Sequence, residues 1–181
     1  MRIISGAWRG RPLLSPQGQD TRPTSDRARE GLFSMLASRL GSFEGLEVAD
    51  LFAGTGALGL EALSRGAARC TFVERDANAI KVLKRNLEKL GALDRAEVRA
   101  QAAEKAAFPL APCDLVLMDP PYKTGLAQKA LDRIAAPGWL APGAWVSVEL
   151  SSEDIALPEG LTLDADRRFG KATIMLLRRE S

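Results

Sequence analysis

The run from Val48 to Glu74 constrains this chain more than any other stretch. Val48-Ala49-Asp50-Leu51-Phe52-Ala53 is an apolar strand carrying one acid, and Gly54-Thr55-Gly56-Ala57-Leu58-Gly59 then spells G-x-G-x-x-G before a helix opens through Leu60, Ala62 and Leu63. Glycines in such a loop permit a tight turn and let the backbone approach a ligand closely, with helix amides aimed at it. A second apolar strand, Cys70-Thr71-Phe72-Val73, ends at Glu74, 20 residues after Gly54. An acid about that far on is the expected partner of a ribose hydroxyl pair. The glycines alone would be weak evidence. Strand, loop, helix, strand and acid in this order predict a nucleoside-binding βαβ unit.

The alternation continues along the chain. A helix is expected over Ala77–Leu90, where Ile80, Leu83, Leu87 and Leu90 keep helical spacing and Gly91 supplies the stop. Further strands are expected near Glu97–Ala100, Leu115–Met118 and Ala144–Leu150, with a helix at Leu126–Ala135. Leu161–Arg168 and Ala172–Arg178, joined by Phe169-Gly170-Lys171, suit a hairpin, so one strand must run against the rest. Ahead of the core, Arg2–Ile4 and Arg11–Leu14 read as two short strands around a connection holding Trp8, and Ser15–Thr21 as a polar loop. Thr24 can cap a helix running to about Leu40, whose Leu32, Met35, Leu36 and Leu40 make an apolar stripe for packing. The expected fold is α/β: a mostly parallel, seven-stranded doubly wound sheet with one antiparallel strand and a small N-terminal β-hairpin. With 181 residues and 46% hydrophobic content, one domain is expected, residues 1–23 forming an arm and 24–181 the core.

A second motif is Asp119-Pro120-Pro121-Tyr122, directly after Leu115-Val116-Leu117-Met118. Proline removes a ladder donor and holds the preceding residue extended, so the strand must end in a rigid lip. Open α/β sheets bind ligands at that end of their strands. The lip offers a carboxylate, the Pro120 carbonyl and an aromatic face, which together suit a planar ring bearing an exocyclic amine. Read blandly, the same four residues are a polar turn.

The glycine fingerprint also occurs in dinucleotide enzymes. Asp50, however, stands where a pyrophosphate would sit, and a carboxylate there suits a cationic amine better. The chain contains no histidine, so the commonest general acid/base is absent. Methyl transfer hardly needs one. S-adenosylmethionine, with a ribose diol and an ammonium tail, is therefore the expected cofactor.

Net charge is only +2, yet residues 1–29 hold Arg2, Arg9, Arg11, Arg22, Arg27 and Arg29. Arginine without lysine favours forked phosphate contacts, although a solvated arm fits the same composition. Cys70 and Cys113 match neither a metal spacing nor a disulfide framework, and read as buried thiols of a reducing cytosol. No signal peptide, membrane span or metal site is expected.

Four segments resemble the bacterial small-subunit ribosomal RNA guanine-N2 methyltransferases of the RsmD type: Met1–Arg11, Thr21–Phe33, Asp50–Glu61 and Asp119–Tyr122. The resemblance implies a Rossmann-like methyltransferase, cytoplasmic, that moves a methyl from S-adenosylmethionine to the exocyclic amine of one guanine. Its partner would be small-subunit ribosomal RNA, free or within an assembled or assembling small-subunit particle. The residues expected to carry catalysis are Asp119, Pro120, Pro121 and Tyr122. Cofactor binding is expected of Asp50, Phe52, Gly54, Thr55, Gly56, Glu74, Arg75, Gln101, Ala102 and Thr24. Substrate binding is expected of Arg9, Arg11, Arg22, Arg27 and Lys123; Arg22 and Thr24 could face either cofactor or RNA. Related enzymes often place Asp or Asn near the adenine where this chain has Gln101, whose amide can still serve an adenine edge. Three other readings stay open: a DNA or RNA amino-methylase acting on adenine N6 or cytosine N4, a protein-glutamine methylase, and a non-catalytic RNA-binding module with a vestigial loop.

Overall fold

The computed structural model describes residues 1–16 and 23–180, the side chains of residues 23–25 excepted. Arg22 and most of the expected polar loop therefore lie outside the described residues. One sheet holds seven strands: β1 Glu47–Leu51, β2 Arg69–Glu74, β3 Ala96–Ala100, β4 Cys113–Met118, β5 Leu140–Leu150, β6 Leu161–Phe169 and β7 Ala172–Arg179. Four helices accompany them: α1 Pro23–Leu40, α2 Ala57–Ser64, α3 Ala77–Leu90 and α4 Leu126–Ile134. The strand order is β3-β2-β1-β4-β5-β7-β6, and β7 alone runs antiparallel to its neighbours. This is a Rossmann-like α/β sheet of the expected kind.

Period-two alternation explains the two cores. Val48, Leu115 and Leu117 pack on one face with Leu36 of α1, Leu60 of α2 and Leu83 of α3. Ala49, Val116 and Met118 pack on the other with Leu131 and Ile134 of α4. Strands buried on both faces carry continuous apolar runs, which is why β4 was readable as a core strand. Both cysteines are buried and unpaired, and burial pushes the Cys113 thiol up to about 12 and Cys70 well above its ordinary value. Among the described residues no helix is long and apolar enough to cross a membrane.

Several boundaries differ from the sequence expectation. α1 begins at Pro23, so Thr24 lies inside the first turn rather than ahead of it as a cap. Proline is favoured there because the amide it lacks would have had no helical partner. β5 starts at Leu140, four residues before the expected Ala144, and its register against β4 shifts between Cys113 and Leu115, where Pro142-Gly143 interrupts regular pairing. Two single 3₁₀ turns, Leu93–Arg95 and Ala103–Lys105, have too few residues to show a period.

The N-terminal arm keeps its hairpin course but not its strands. Arg2 and Pro12 form one antiparallel bridge, flanked by bonds from Ile3 N–H to the Arg11 carbonyl (3.0 Å) and from Leu13 N–H to the Met1 carbonyl (2.8 Å). Pro12 has no donor, which limits the ladder. The arm is instead fastened to the core. Ile3 and Leu13 are buried, and the fully buried Glu61 of α2 accepts from the Ile4 and Ser5 amides at 2.9 and 3.1 Å. Arg65 Nε donates to the same carboxylate at 2.9 Å. Ser64 Oγ accepts from the Trp8 amide and donates to the Ser5 carbonyl.

Candidate active site

The strand order reverses between β1 and β4, and a crevice opens beyond their carboxyl ends, as such a switch point requires. A cleft of about 1050 Å³ fills it. Its floor is formed by the ends of β1, β2, β3 and β4, and its walls by β5, α1 and the β6–β7 turn. Asp50, Phe52, Gly54, Thr55, Glu74, Arg75 and Gln101 line it, as do all four residues from Asp119 to Tyr122. Gly56, Ala102, Lys123, Arg9, Arg11 and Arg27 do not. The Thr24 side chain and Arg22 lie outside the described residues.

In the glycine-loop half, two carboxyls organise the backbone. Glu74 accepts from the amides of Gly54 (2.8 Å), Arg75 (2.9 Å) and Asp76 (2.8 Å), bringing the loop after β1 against the end of β2. Asp50, 1% exposed, accepts from the Gly59 amide at 2.9 Å in the first turn of α2. Burial pushes the Asp50 carboxyl up to about 8; the Gly59 bond opposes the rise and the Glu74 charge adds to it.

The three glycines do different work. Gly54 has φ 57° and faces open space, so the backbone there is bare towards the cleft. A Cβ on Gly56 would lie 2.4 Å from Leu83 Cδ1, and one on Gly59 2.4 Å from the Phe72 ring. Those two glycines serve close packing of α2 and its loop on α3 and β2, and Gly56 is not among the residues lining the cleft. Phe52, a non-glycine residue at φ 60°, carries backbone strain where β1 enters the cleft. Gln101 Oε1 accepts from the Ala107 amide at 3.3 Å while the residue lines the cleft.

The lip is a stiff turn. Pro120 is buried, whereas Asp119, Pro121 and Tyr122 are exposed to the cleft. The Thr124 hydroxyl donates to the Pro121 carbonyl at 3.0 Å, and the Lys123 amide to Glu153 Oε2 at 3.0 Å with Lys123 at φ 58°. Asp119 is reachable by a ligand, yet the cleft walls strip water from its carboxyl. That desolvation, followed by a hydrogen bond with Glu149 and the Glu149 charge, holds Asp119 well above the usual carboxylate range. The Tyr122 hydroxyl donates to Glu149 Oε2 at 3.3 Å. Desolvation and then the charges of Glu149 and Asp119 push Tyr122 up to about 12.

Ser147 and Glu149 escaped the sequence expectation, and Arg29, read there only as one of the arginine cluster, lines the cleft as well. Ser147 and Glu149 sit two apart on β5, and polar residues on alternate positions of an otherwise apolar strand were the available signal. Arg29 falls on the apolar stripe of α1, three and seven residues before Leu32 and Leu36. It is 6% exposed and donates to the Arg2 carbonyl and to Asp26, but its Nε and Nη1 meet no partner among the described residues. Burial lowers its pKa, opposed by the Glu61 and Asp26 charges.

The arginine cluster therefore divides. Arg11 donates to the Lys89 carbonyl at 2.7 Å near the end of α3, tying the arm to the core, and Arg2 donates to the Gly10 carbonyl at 3.2 Å within the arm. Arg9 and Arg27 are exposed.

Comparison with known proteins agrees with this geometry. The family model described as conserved hypothetical protein 95 matches residues 1–178. The ribosomal RNA small subunit methyltransferase D of Escherichia coli strain K12 is 38% identical over 183 residues, covering 100% of this chain and 91% of that protein. A solved Escherichia coli structure named as a candidate methyltransferase, yhhF, superimposes with a TM-score of 0.88 at 38% identity, covering 100% of this chain and 98% of that one. At 14% identity, a Synechocystis magnesium protoporphyrin IX methyltransferase with bound SAM shares the fold, with a TM-score of 0.69 over 90% of this chain and 87% of its own. The chain belongs to the family described as conserved hypothetical protein 95, the RsmD-type methyltransferases that its sequence resembles.

Proposed function

We propose that this protein methylates the exocyclic N2 amine of one guanine in small-subunit ribosomal RNA, with S-adenosylmethionine as methyl donor. The observation that carries the reading is one cleft holding both the glycine loop after β1 and the Asp119–Tyr122 lip after β4. The cleft fits the cofactor: its two organised carboxyls suit a ribose diol and an ammonium, and Gly54 leaves room for close approach. When bound, S-adenosylmethionine supplies a methyl group already activated by its sulfonium. Glu74 holds the ribose hydroxyls and Asp50 the ammonium. Asp119 and the Pro120 carbonyl accept the two N–H bonds of the target amine, orient its lone pair and stabilise the positive charge it gains. Tyr122 stacks on the splayed base, worth ~1–3 kcal/mol. Residues 1–23 act as an arm on a single catalytic domain, and a ribosomal RNA substrate puts the work in the cytoplasm. The test is labelled methyl transfer to free small-subunit RNA, small-subunit particles and DNA, followed by nucleoside analysis. N2-methylguanosine in RNA or particle is the expected product; methyl label only in DNA, or none with cofactor bound, overturns the reading.

Replacing Glu74 with Ala should weaken cofactor binding by ~1.5–3 kcal/mol, the range for hydrogen bonds to a charged group. Because Glu74 also ties down three amides, the variant should melt earlier as well. Calorimetry on the folded variant separates the two effects. Unchanged affinity would leave Glu74 only its loop-fastening task.

Asp50 gives cofactor binding a pH dependence. A raised folded pKa means that the neutral acid stabilises the empty protein at low pH, a contribution lost as pH climbs towards about 8. Meeting an ammonium requires the carboxylate, so the proton must leave. Affinity should therefore rise with pH up to about 8, with proton release visible as buffer-dependent heat, and Asp50→Asn should abolish the slope.

Replacing exposed Arg9 and Arg27 together with Ala should reduce the slope of log RNA affinity against log salt by about one to two units. Cofactor affinity should not change. An unaltered slope would make both residues solvated surface.

A further inference from the structure

Glu149 reaches the lip from the neighbouring strand. Met118 pairs with Val148 between β4 and β5, so the residues that follow each, Asp119 and Glu149, leave the two strands side by side. Glu149 lines the cleft, its carboxyl meets that of Asp119, and the Tyr122 hydroxyl is committed to it. The Lys123 amide is engaged by Glu153 and its side chain lies outside the cleft lining. The lip thus presents the carboxyls of Asp119 and Glu149, with the Pro120 carbonyl beside them. All three accept hydrogen bonds.

Nucleobases that carry an exocyclic amine differ in the ring nitrogen beside it. In guanine that nitrogen is N1–H, a donor. In adenine and cytosine it is a bare acceptor. A lip of acceptors matches two adjacent donors and leaves a bare ring nitrogen facing a carboxylate. Desolvation and the neighbouring Glu149 carboxyl hold Asp119 above the usual carboxylate range, and two N–H donors from a base would satisfy both carboxyls at once.

We infer that Glu149 determines base specificity, its carboxylate accepting the N1–H beside the target amine and so selecting guanine over adenine and cytosine. This rests on the guanine-amine reading above. Sites built to hydrogen-bond a substrate N–H reject analogues that lack it far more strongly than apolar pockets reject a methylene.

The test uses small-subunit particles reconstituted with either guanine or 2-aminopurine at the nucleotide found by the methyl-transfer assay. 2-Aminopurine keeps the amine but presents N1 as a bare acceptor. The wild-type protein should prefer guanine by ~10²-fold or more in kcat/KM. Glu149→Gln, nearly isosteric and able to turn an amide donor towards N1, should lose ~10–100-fold on guanine and bring that preference down to a few-fold. Cofactor affinity and melting temperature, measured alongside, should match the wild type. A variant that keeps the full guanine preference, or that loses activity equally on both bases, overturns the specificity role. Failure of the wild-type protein to make N2-methylguanosine at all would instead sink the underlying functional reading.

Discussion

Replacing Asp119 with Ala is expected to leave S-adenosylmethionine binding within a few-fold while lowering turnover by ~10²-fold or more, the scale of losing one contact made in the transition state. The reason lies in where the residue stands. Asp119 leaves the end of β4 towards the open part of the cleft, whereas the groups suited to the cofactor, Asp50 and Glu74, belong to β1 and β2. Its carboxyl is paired with Glu149 rather than with the glycine loop. Single-turnover kinetics with saturating cofactor isolate the step. Asp119→Asn should recover part of the rate, since an amide oxygen still accepts one N–H bond. Near-normal turnover in Asp119→Ala would reduce the lip to a turn with no part in the chemistry.

The largest effect on stability is expected at Glu61. This carboxylate, with no exposed surface, accepts from two arm amides and from Arg65 Nε. Ala in its place strands a half-buried guanidinium and two amides together, so the loss should approach that for breaking a buried ion pair, ~3–5 kcal/mol. For a chain of this size, that lowers the melting temperature by roughly 6–20 °C. A shift of only a degree or two would mean that Ile3 and Leu13 dock the arm by apolar burial alone.

What was legible in the sequence was local. The glycine loop, the strand-ending prolines and the apolar runs each act within a few neighbouring residues, so the elements and their order could be read directly. Glu74 could be assigned to the end of β2 by counting from Gly54, but not its three amide partners. Glu149 and Glu61 were harder, because their partners lie 27 and 57 residues away in the chain. The same distance hid one partner of Arg11, whose guanidinium donates to the Lys89 carbonyl 78 residues on. Gly56 shows the opposite limit: a fingerprint names a glycine, yet only the position of Leu83 tells which neighbour demands it.

Asn86, fully buried on α3, binds two segments at once. Its amide nitrogen donates to the Thr55 carbonyl of the glycine loop at 3.0 Å and to the Leu14 carbonyl of the arm at 3.2 Å, while its oxygen accepts from the Leu14 amide at 2.8 Å. One side chain therefore ties the two segments to each other. Loop and arm are thus joined through the Asn86 amide as well as fastened separately by Glu74 and Glu61.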